Sequence, residues 1–318
     1  MQTADDTIDM RLTAILYGAE GTNLFEFRTL DGHDVPPFTA GAHVDVNLPN
    51  GVIRQYSIAS PQSDRSRYLL GVKRDAQGRG GSRFFHDEVR VGSVLKLSLP
   101  RNHFPLNEAA TASIFIAGGI GITPILSMID RLQTLVRDFS LHYAVRVRRE
   151  ALLEHVDATD DRVTLHVDSE CDGRILDVAA IVAAAPPDAE LYCCGPAPML
   201  DAFEAACAGR PPERVHLERF SAPDTVAATG GAYTVELARS KRSITVQSGQ
   251  TLIEALKAAG LKVKVSCEQG ICGTCETRVL AGTPDHRDSI LSDAEKAAND
   301  TMMVCCGGSL TPTLVLDL

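Results

Sequence analysis

No stretch of this sequence is long and apolar enough to span a bilayer. Its most apolar run, Ile175 to Ala185, is short and already contains Asp177. The opening residues, MQTADDTIDM, are acidic and lack the apolar segment of a signal peptide. Both absences point to a cytoplasmic protein without membrane association. Positive charge is scarce too: 31 Lys and Arg stand against 41 Asp and Glu, a formal charge of −10, which argues against a nucleic-acid partner. Internal repeats and low-complexity tracts are absent. So is the G-x-G-x-x-G fingerprint of dinucleotide binding. A disulfide framework is excluded in turn, because the cysteines number nine and no secretion signal accompanies them.

What is present begins with room for several cores. The chain has 318 residues, 44% hydrophobic and 23% charged, which suits a globular protein of two or three domains. Three regions differ in pattern. Up to about residue 106, alternating segments at His43–Leu48, Tyr68–Lys73 and Val94–Leu99 are punctuated by Pro49-Asn50-Gly51, Gly78–Gly81 and Pro100-Arg101-Asn102. That spacing predicts antiparallel strands closed into a small barrel. Residues 107–222 alternate strands and helices: strands at Ser113–Ala117, Leu141–Val145, Val163–Val167, Glu190–Cys194 and Val215–Leu217. The intervening helices are expected at Ile125–Val136, near Ala151–Val156, at Leu176–Ala184 and at Met199–Ala208. Such an order predicts an open parallel α/β sheet. Residues 223–232 close a stretch of small, polar, Gly-containing residues that reads as a linker. Residues 233–318 carry strands at Tyr233–Ala238, Ser243–Gln247, Glu276–Leu280 and Thr313–Leu318, with helices at Leu252–Ala259 and Asp293–Ala298, an order that packs as a sheet grasping one helix.

Five of the nine cysteines fall in the last 52 residues. Cys267, Cys272 and Cys275 are spaced four and then two residues apart, and Cys305 follows after a gap of 29. This C-x4-C-x2-C…C pattern is that of a plant-type 2Fe–2S cluster, in which two irons need four thiolates. Gly270 and Gly273 let backbone N–H groups approach the sulfurs. A structural zinc site would instead pair two short cysteine knuckles. Spacing alone barely separates Cys305 from Cys306 as the fourth ligand. If the segment approaches as a strand, neighbouring side chains point to opposite faces, and only one of the pair reaches the iron.

The SCEQGICGTC loop, with DHRD at 285–288, MMVC at 302–305 and a terminal LVLDL, resembles the ferredoxin domain of the phthalate dioxygenase reductase and vanillate O-demethylase reductase family. The resemblance extends over nearly the whole chain in the order flavin, nucleotide, ferredoxin. It implies an FMN-binding antiparallel barrel over residues 1–106, an NAD-binding α/β domain over 107–222 and a β-grasp ferredoxin domain over 233–318. It also places the fourth cluster ligand at Cys305.

In that family Arg54-Gln55-Tyr56-Ser57 matches a flavin motif, the Arg on the flavin phosphate, the Tyr against the ring and the Ser near N5. Val72-Lys73 and Gly80-Gly81-Ser82 match a second flavin segment, of the kind that takes FMN rather than FAD. Phe220 matches an aromatic that covers the flavin. Gly118, Gly119, Gly121 and Thr123, in GGIGITP, match the pyrophosphate loop. Cys194-Gly195-Pro196, with Met199 following, matches the nicotinamide pocket. The resemblance implies NADH as donor, although Arg146, Arg148 and Arg149 read either as a 2′-phosphate site or as a solvated basic turn.

The implied activity is a relay. NADH delivers two electrons at once, a 2Fe–2S cluster takes one, and a flavin mediates. No nucleophile or general acid is required, so no catalytic side chain is expected. The implied acceptor is the terminal component of an oxygenase for an aromatic acid or methyl ether, docking transiently through the ferredoxin domain. Two other readings are a similar reductase serving a different monooxygenase and a redox-sensing module that turns nothing over.

Overall fold

The computed structural model describes residues 7–78, 80–220 and 231–318. The segment read as a linker therefore lies almost wholly outside the described residues. The chain separates into two compact units, Met1–Arg219 and Phe220–Leu318, so the barrel and the α/β region share one unit.

Six strands build the barrel: β1 (Thr7–Ala19), β2 (Thr22–Thr29), β3 (His43–Asn47), β4 (Ile53–Ser57), β5 (Tyr68–Lys73) and β6 (Val94–Ser98). Their order is β4-β3-β6-β1-β2-β5, all neighbours antiparallel. An Ile58–Leu70 bridge joins the two outer strands and closes the ring, which removes the exposed strand edges. Val44, Val46, Leu70, Val72, Leu95 and Leu97 point into its core. β1 escapes simple alternation because its register with β2 shifts at Leu12/Ala14 and again at Tyr17/Ala19, as bulges do. A short helix, α1 (Gly81–Asp87), packs Phe85 edge-on against Phe25, ring centroids 5.0 Å apart.

The parallel sheet follows: β7 (Ala112–Gly118), α2 (Ile122–Thr134), β8 (Asp138–Val145), β9 (Val163–Val167), α3 (Val178–Ala184), β10 (Glu190–Cys194), α4 (Ala197–Ala206) and β11 (Val215–Glu218). The strand order is β11-β10-β7-β8-β9, parallel throughout. β10 is buried at every position, as a strand covered on both faces must be. Asp177 caps α3 by accepting the Ala180 N–H at 2.9 Å. The helix expected near Ala151–Val156 does not form. Leu152 and Val156 are both buried at helical spacing. Yet the segment is a series of turns in which the Tyr143 hydroxyl accepts the Leu152 N–H, so tertiary anchoring supplies the burial that the periodicity suggested.

In the second unit β12 (Tyr233–Leu237), β13 (Arg242–Val246), α5 (Leu252–Ala258), β14 (Glu276–Ala281), β15 (Pro284–Asp285), α6 (Asp293–Ala298), β16 (Thr301–Met303), β17 (Gly308–Ser309) and β18 (Thr313–Leu316) follow in order. The main sheet runs β13-β12-β18-β14-β16, with β12 and β18 parallel. Leu252, Ala255 and Leu256 of α5 pack on it beside Val235, Val246 and Leu314. Thr251 and Glu254 form a complete capping box at the start of α5.

One buried charge cluster ties the barrel together. The Glu26 carboxylate on β2 accepts from Thr13 Oγ1 (2.7 Å), Arg28 Nε (2.8 Å) and Arg67 Nη1 (2.7 Å). Burial works to raise this carboxyl, and the bonds from Arg28, Arg67 and Thr13 overcome it and hold its pKa down to about 2 from 4.5. A depressed carboxyl adds stability above its unfolded pKa and loses it as pH falls through the folded one. Acid unfolding should therefore be steeper in the native protein than in Glu26→Gln across roughly pH 4.5 to 2. Urea midpoints measured at several pH values check this; parallel pH profiles would contradict it.

Candidate functional site

The parallel sheet places its functional loops before any side chain is considered. Chain connections from β7 run to β8 and β9 on one side and return to β10 and β11 on the other. The strand order thus reverses between β7 and β10, and ligands of open α/β sheets bind at the carboxyl ends of strands at such a point. The loop after β7 is Gly118–Thr123 and the loop after β10 is Cys194–Met199, so the two sequence-predicted nucleotide segments flank this point.

Their glycines let them touch. A Cβ on Gly121 would lie 2.2 Å from the Cys194 carbonyl oxygen and 2.9 Å from Gly195 N. One on Gly118 would meet Pro196 Cδ at 2.6 Å and Met199 Sδ at 2.9 Å, and one on Gly195 would meet Met199 Sδ at 2.7 Å. Gly119 adopts φ +54 with open space at its Cβ position, which leaves its backbone accessible to a ligand. Thr123 is buried, and its hydroxyl donates to Ile120 O at 2.9 Å. Cys194 is fully buried, and burial pushes its thiol well above the usual range. It remains a neutral thiol, unsuited to nucleophilic attack.

The flavin segment meets these loops. Ser57, at the end of β4, is buried and donates its hydroxyl to Glu218 Oε2 at 3.3 Å. Glu218 ends β11 directly beside Cys194. Burial raises the Glu218 carboxyl to about 8, while the Ser57 hydrogen bond works the other way. Ser57, Cys194 and Glu218 therefore bring one barrel strand and two sheet strands to one place. Glu218 escaped the sequence reading although it opens the Glu-Arg-Phe run that had already drawn attention to Phe220. Only the parallel register of β10 and β11 reveals its neighbour. Contact between barrel and sheet recurs at Gly71, where a Cβ would meet Thr123 Cγ2 at 2.6 Å.

The other residues matched to the flavin motif lie on β4, β5 and α1 or beyond the barrel. Tyr56 stands edge-on to Phe85 at 5.1 Å, and burial raises its hydroxyl. Arg54 runs beneath the start of α1, where a Cβ on Gly81 would lie 2.5 Å from Arg54 Cγ. Gly80 has φ +84, and Ser82 Oγ accepts the Asp75 N–H at 3.0 Å. Gln55 Nε2 is a buried donor without a protein partner among the described residues. A glycine cradle beside a guanidinium, together with an unpartnered donor, fits a phosphorylated flavin. Val72 is buried, and its carbonyl bonds His86 Nε2 at 2.9 Å. The Lys73 amine pairs with Glu150 at 3.2 Å. Phe220, the first residue of the second unit, is 42% exposed.

In the second unit the loop before β14 gathers the cysteines. Cys267, Cys272, Cys275 and Cys305 are all buried. The thiol of Cys305 lies within hydrogen-bonding reach of Cys267 and Cys275, and Cys267 within reach of Cys272. Among the described residues no three His, Cys, Asp or Glu side chains are placed around a single ion. The Gln269 N–H donates to Cys267 Sγ at 3.3 Å. Gly270 and Gly273 both have φ +70, and a Cβ on Gly270 would strike Cys306 Sγ at 2.5 Å. DHRD joins this loop through the Ser289 N–H, which donates to Gly270 O.

Comparison with known proteins agrees with this layout. Residues 235–307 match a model described as a 2Fe-2S iron-sulfur cluster binding domain, and residues 9–105 one described as an oxidoreductase FAD-binding domain. The chain is 51% identical to the phenoxybenzoate dioxygenase subunit beta of Ectopseudomonas oleovorans, over 98% of this chain and 97% of that one. It is 43% identical to the vanillate O-demethylase oxidoreductase of Pseudomonas sp. (strain HR199 / DSM 7063), covering 98% and 100%. The chain belongs to the phthalate dioxygenase reductase family.

A solved member, phthalate dioxygenase reductase, described as a modular structure for electron transfer from pyridine nucleotides to [2Fe-2S], superposes with a TM-score of 0.73 at 36% identity. The match covers 99% of this chain and 98% of that one. Membership makes this chain an NADH-dependent flavin and iron–sulfur oxidoreductase, the reductase component of an oxygenase system, with FMN and a 2Fe–2S cluster as cofactors. The barrel, parallel-sheet and ferredoxin folds expected from sequence are all present. No helix of the described residues is long and apolar enough to cross a membrane.

The raised Glu218 carboxyl makes a testable demand. Unfolding lets it ionise near 4.5 while the folded protein keeps it protonated to about 8. Stability should fall as pH rises across that window. Glu218→Gln should flatten this part of the profile, and urea midpoints at about pH 5, 6.5 and 8 measure it. An unchanged slope in the variant would contradict the assignment.

Proposed function

We propose that this chain passes electrons from NADH through FMN at the barrel–sheet junction to a cluster on Cys267, Cys272, Cys275 and Cys305, and from there to a terminal oxygenase that docks on the ferredoxin unit. The convergence of Ser57, Cys194 and Glu218 carries the reading, because it unites the flavin and nicotinamide segments. When bound, the cofactors supply the hydride and single-electron chemistry. The protein's task is to bind, orient and exclude water. Arg54, Gly80, Gly81 and Ser82 hold the flavin phosphate; Tyr56 packs on the ring, and Gln55 and Ser57 supply donors. Val72 and Lys73 lie on the flavin side of the site. Gly118, Gly119, Gly121 and Thr123 hold the pyrophosphate. Cys194, Gly195, Pro196 and Met199 shape the nicotinamide pocket, and Glu218 keeps a proton beside Ser57. The functional modules are residues 1–106, 107–222 and 233–318.

Cys305 is the fourth ligand and Cys306 is not. Cys305 reaches two of the other three thiols, whereas Cys306 Sγ reaches Cys305 and otherwise faces Met303 O at 3.8 Å and the Gly270 backbone. Cys305→Ser should lose the cluster while FMN and NADH-driven dye reduction survive. Cys306→Ser should keep the cluster's visible spectrum. Iron content, electron paramagnetic resonance of the reduced protein and chromatography of the released flavin are the measurements. Cluster loss in Cys306→Ser alone, or release of FAD, would overturn the respective assignment.

The basic turn after β8 explains the nucleotide preference. Arg146 pairs with Glu150 (3.0 Å), Arg148 with Glu170 (2.6 Å) and Arg149 with Glu20. Arg148 and Arg149 each face a carboxylate of their own, and Arg146 shares Glu150 with Lys73, so most of the positive charge a 2′-phosphate would seek is already paired. Exposed pairs of this kind are individually weak, and their effect here is to cancel charge. Glu170→Gln should raise kcat/KM for NADPH relative to NADH severalfold at low salt, where screening is least. An unchanged ratio would refute this role.

A further inference from the structure

The second unit carries its charge unevenly. Between residues 239 and 264 the sequence holds six Lys and Arg and a single carboxylate, Glu254. Glu254 is turned back into the capping box at the start of α5, accepting the Thr251 N–H at 2.9 Å. Arg239 pairs with Asp317, just past the terminal strand. The other five are Lys241, Arg242, Lys257, Lys262 and Lys264, and all are exposed.

Four of these lie near the cluster loop, one of them, Lys257, already offset by a carboxylate. Arg242 Nη2 donates to Ala259 O at 2.8 Å, which sets the start of β13 against the end of α5. Lys257 lies in the last turn of α5, and its amine pairs with Glu268 at 2.6 Å. Glu268 directly follows the cluster ligand Cys267, so this pair pins the helix end to the cluster loop. Lys262 and Lys264 lie on the segment that runs from α5 into Cys267. Their cationic ends alternate with half-buried Leu261, Val263 and Val265, which pack on the unit's core. A cationic rim therefore borders the loop through which electrons leave.

We infer that this rim is the docking surface for the electron acceptor, and that the acceptor presents an acidic surface around its own point of electron entry. The inference rests on the relay proposed above and names the character of its partner. The whole chain has a formal charge of −10. Against that net negative charge an acidic acceptor is attracted at the rim, which favours approach with its entry point toward the cluster. A basic acceptor would be drawn to the acid-rich remainder and turned away from the cysteine loop. Weak, salt-sensitive docking suits a partner that must leave after each electron.

Two haem proteins of opposite charge serve as probes: acidic soluble cytochrome b5 and basic cytochrome c. The full-length holoprotein is reduced with dithionite, freed of excess reductant and mixed with each acceptor, and reoxidation is followed at the cluster's own absorbance. With cytochrome b5 the native rate constant should fall as ionic strength rises from about 20 to 200 mM, since screening shortens the reach of the rim. The double variant Lys262→Glu/Lys264→Glu should be slower by tenfold or more at low salt, and Lys262→Gln/Lys264→Gln should fall between. Neither variant should be slower with cytochrome c. Both side chains are exposed, and an unchanged cluster spectrum confirms that the variants fold. An unchanged rate with cytochrome b5, or equal slowing with both acceptors, overturns the docking surface. Chemical reduction makes this outcome independent of the relay, which is tested separately by the rate at which NADH reduces the cluster in the same preparations.

Discussion

Gly121 comes so close to the chain after β10 that an added methyl group would lie 2.2 Å from the Cys194 carbonyl oxygen. This contact constrains much of the first unit. It brings the loop after β7 against the loop after β10 at the point where strand order reverses. Gly118 and Gly195 extend the contact to Pro196 and Met199. Any side chain at these glycines would have to push the loops apart, because interiors are packed too tightly to absorb the volume. With the loops held together, β11 runs beside β10 in a register that sets Glu218 next to Cys194. The Ser57 hydroxyl then closes the group from the barrel side.

The same logic of close backbone approach governs the second unit. Gly270 lets the cluster loop turn with a positive φ while Cys306 and Asp288 crowd its Cα. Asp288 accepts the N–H groups of Ile290 and Leu291, which shapes the turn after DHRD, and the Ser289 N–H to Gly270 O bond fastens that turn to the cluster loop. Hydrogen bonds such as that from Gln269 N to Cys267 Sγ are also the interactions by which a protein tunes a cluster's potential.

Much of this was legible in the sequence, and what was not has definite causes. The cysteine spacing is a local signal, and the structure brings those four thiols together. The β10 strand was read to the residue because it is short, apolar and bounded by turn formers. The long β1 strand was not recognised, because its two register shifts break the alternation that reveals a strand. The turn at Ala151–Val156 imitated a helix through two buried residues four apart. Two of the arginines after β8 remained ambiguous because their partners are remote: Glu170 is 22 residues from Arg148, and Glu20 is 129 from Arg149. Glu218 is the clearest case. Its environment is created by strands from two different sheets, and no local pattern encodes that.

The claim on which the account rests is that one chain accepts electrons in pairs and holds them as single electrons at a separate centre. Anaerobic reductive titration of the full-length holoprotein measures this directly, with flavin absorbance and the paramagnetic signal of the cluster followed together. The account predicts uptake of about three electrons per chain, two by the flavin and one by the cluster. It also predicts that stoichiometric NADH alone produces the cluster's paramagnetic signal. Flavin bleaching by NADH with the cluster left oxidised, although chemically reducible, would contradict it.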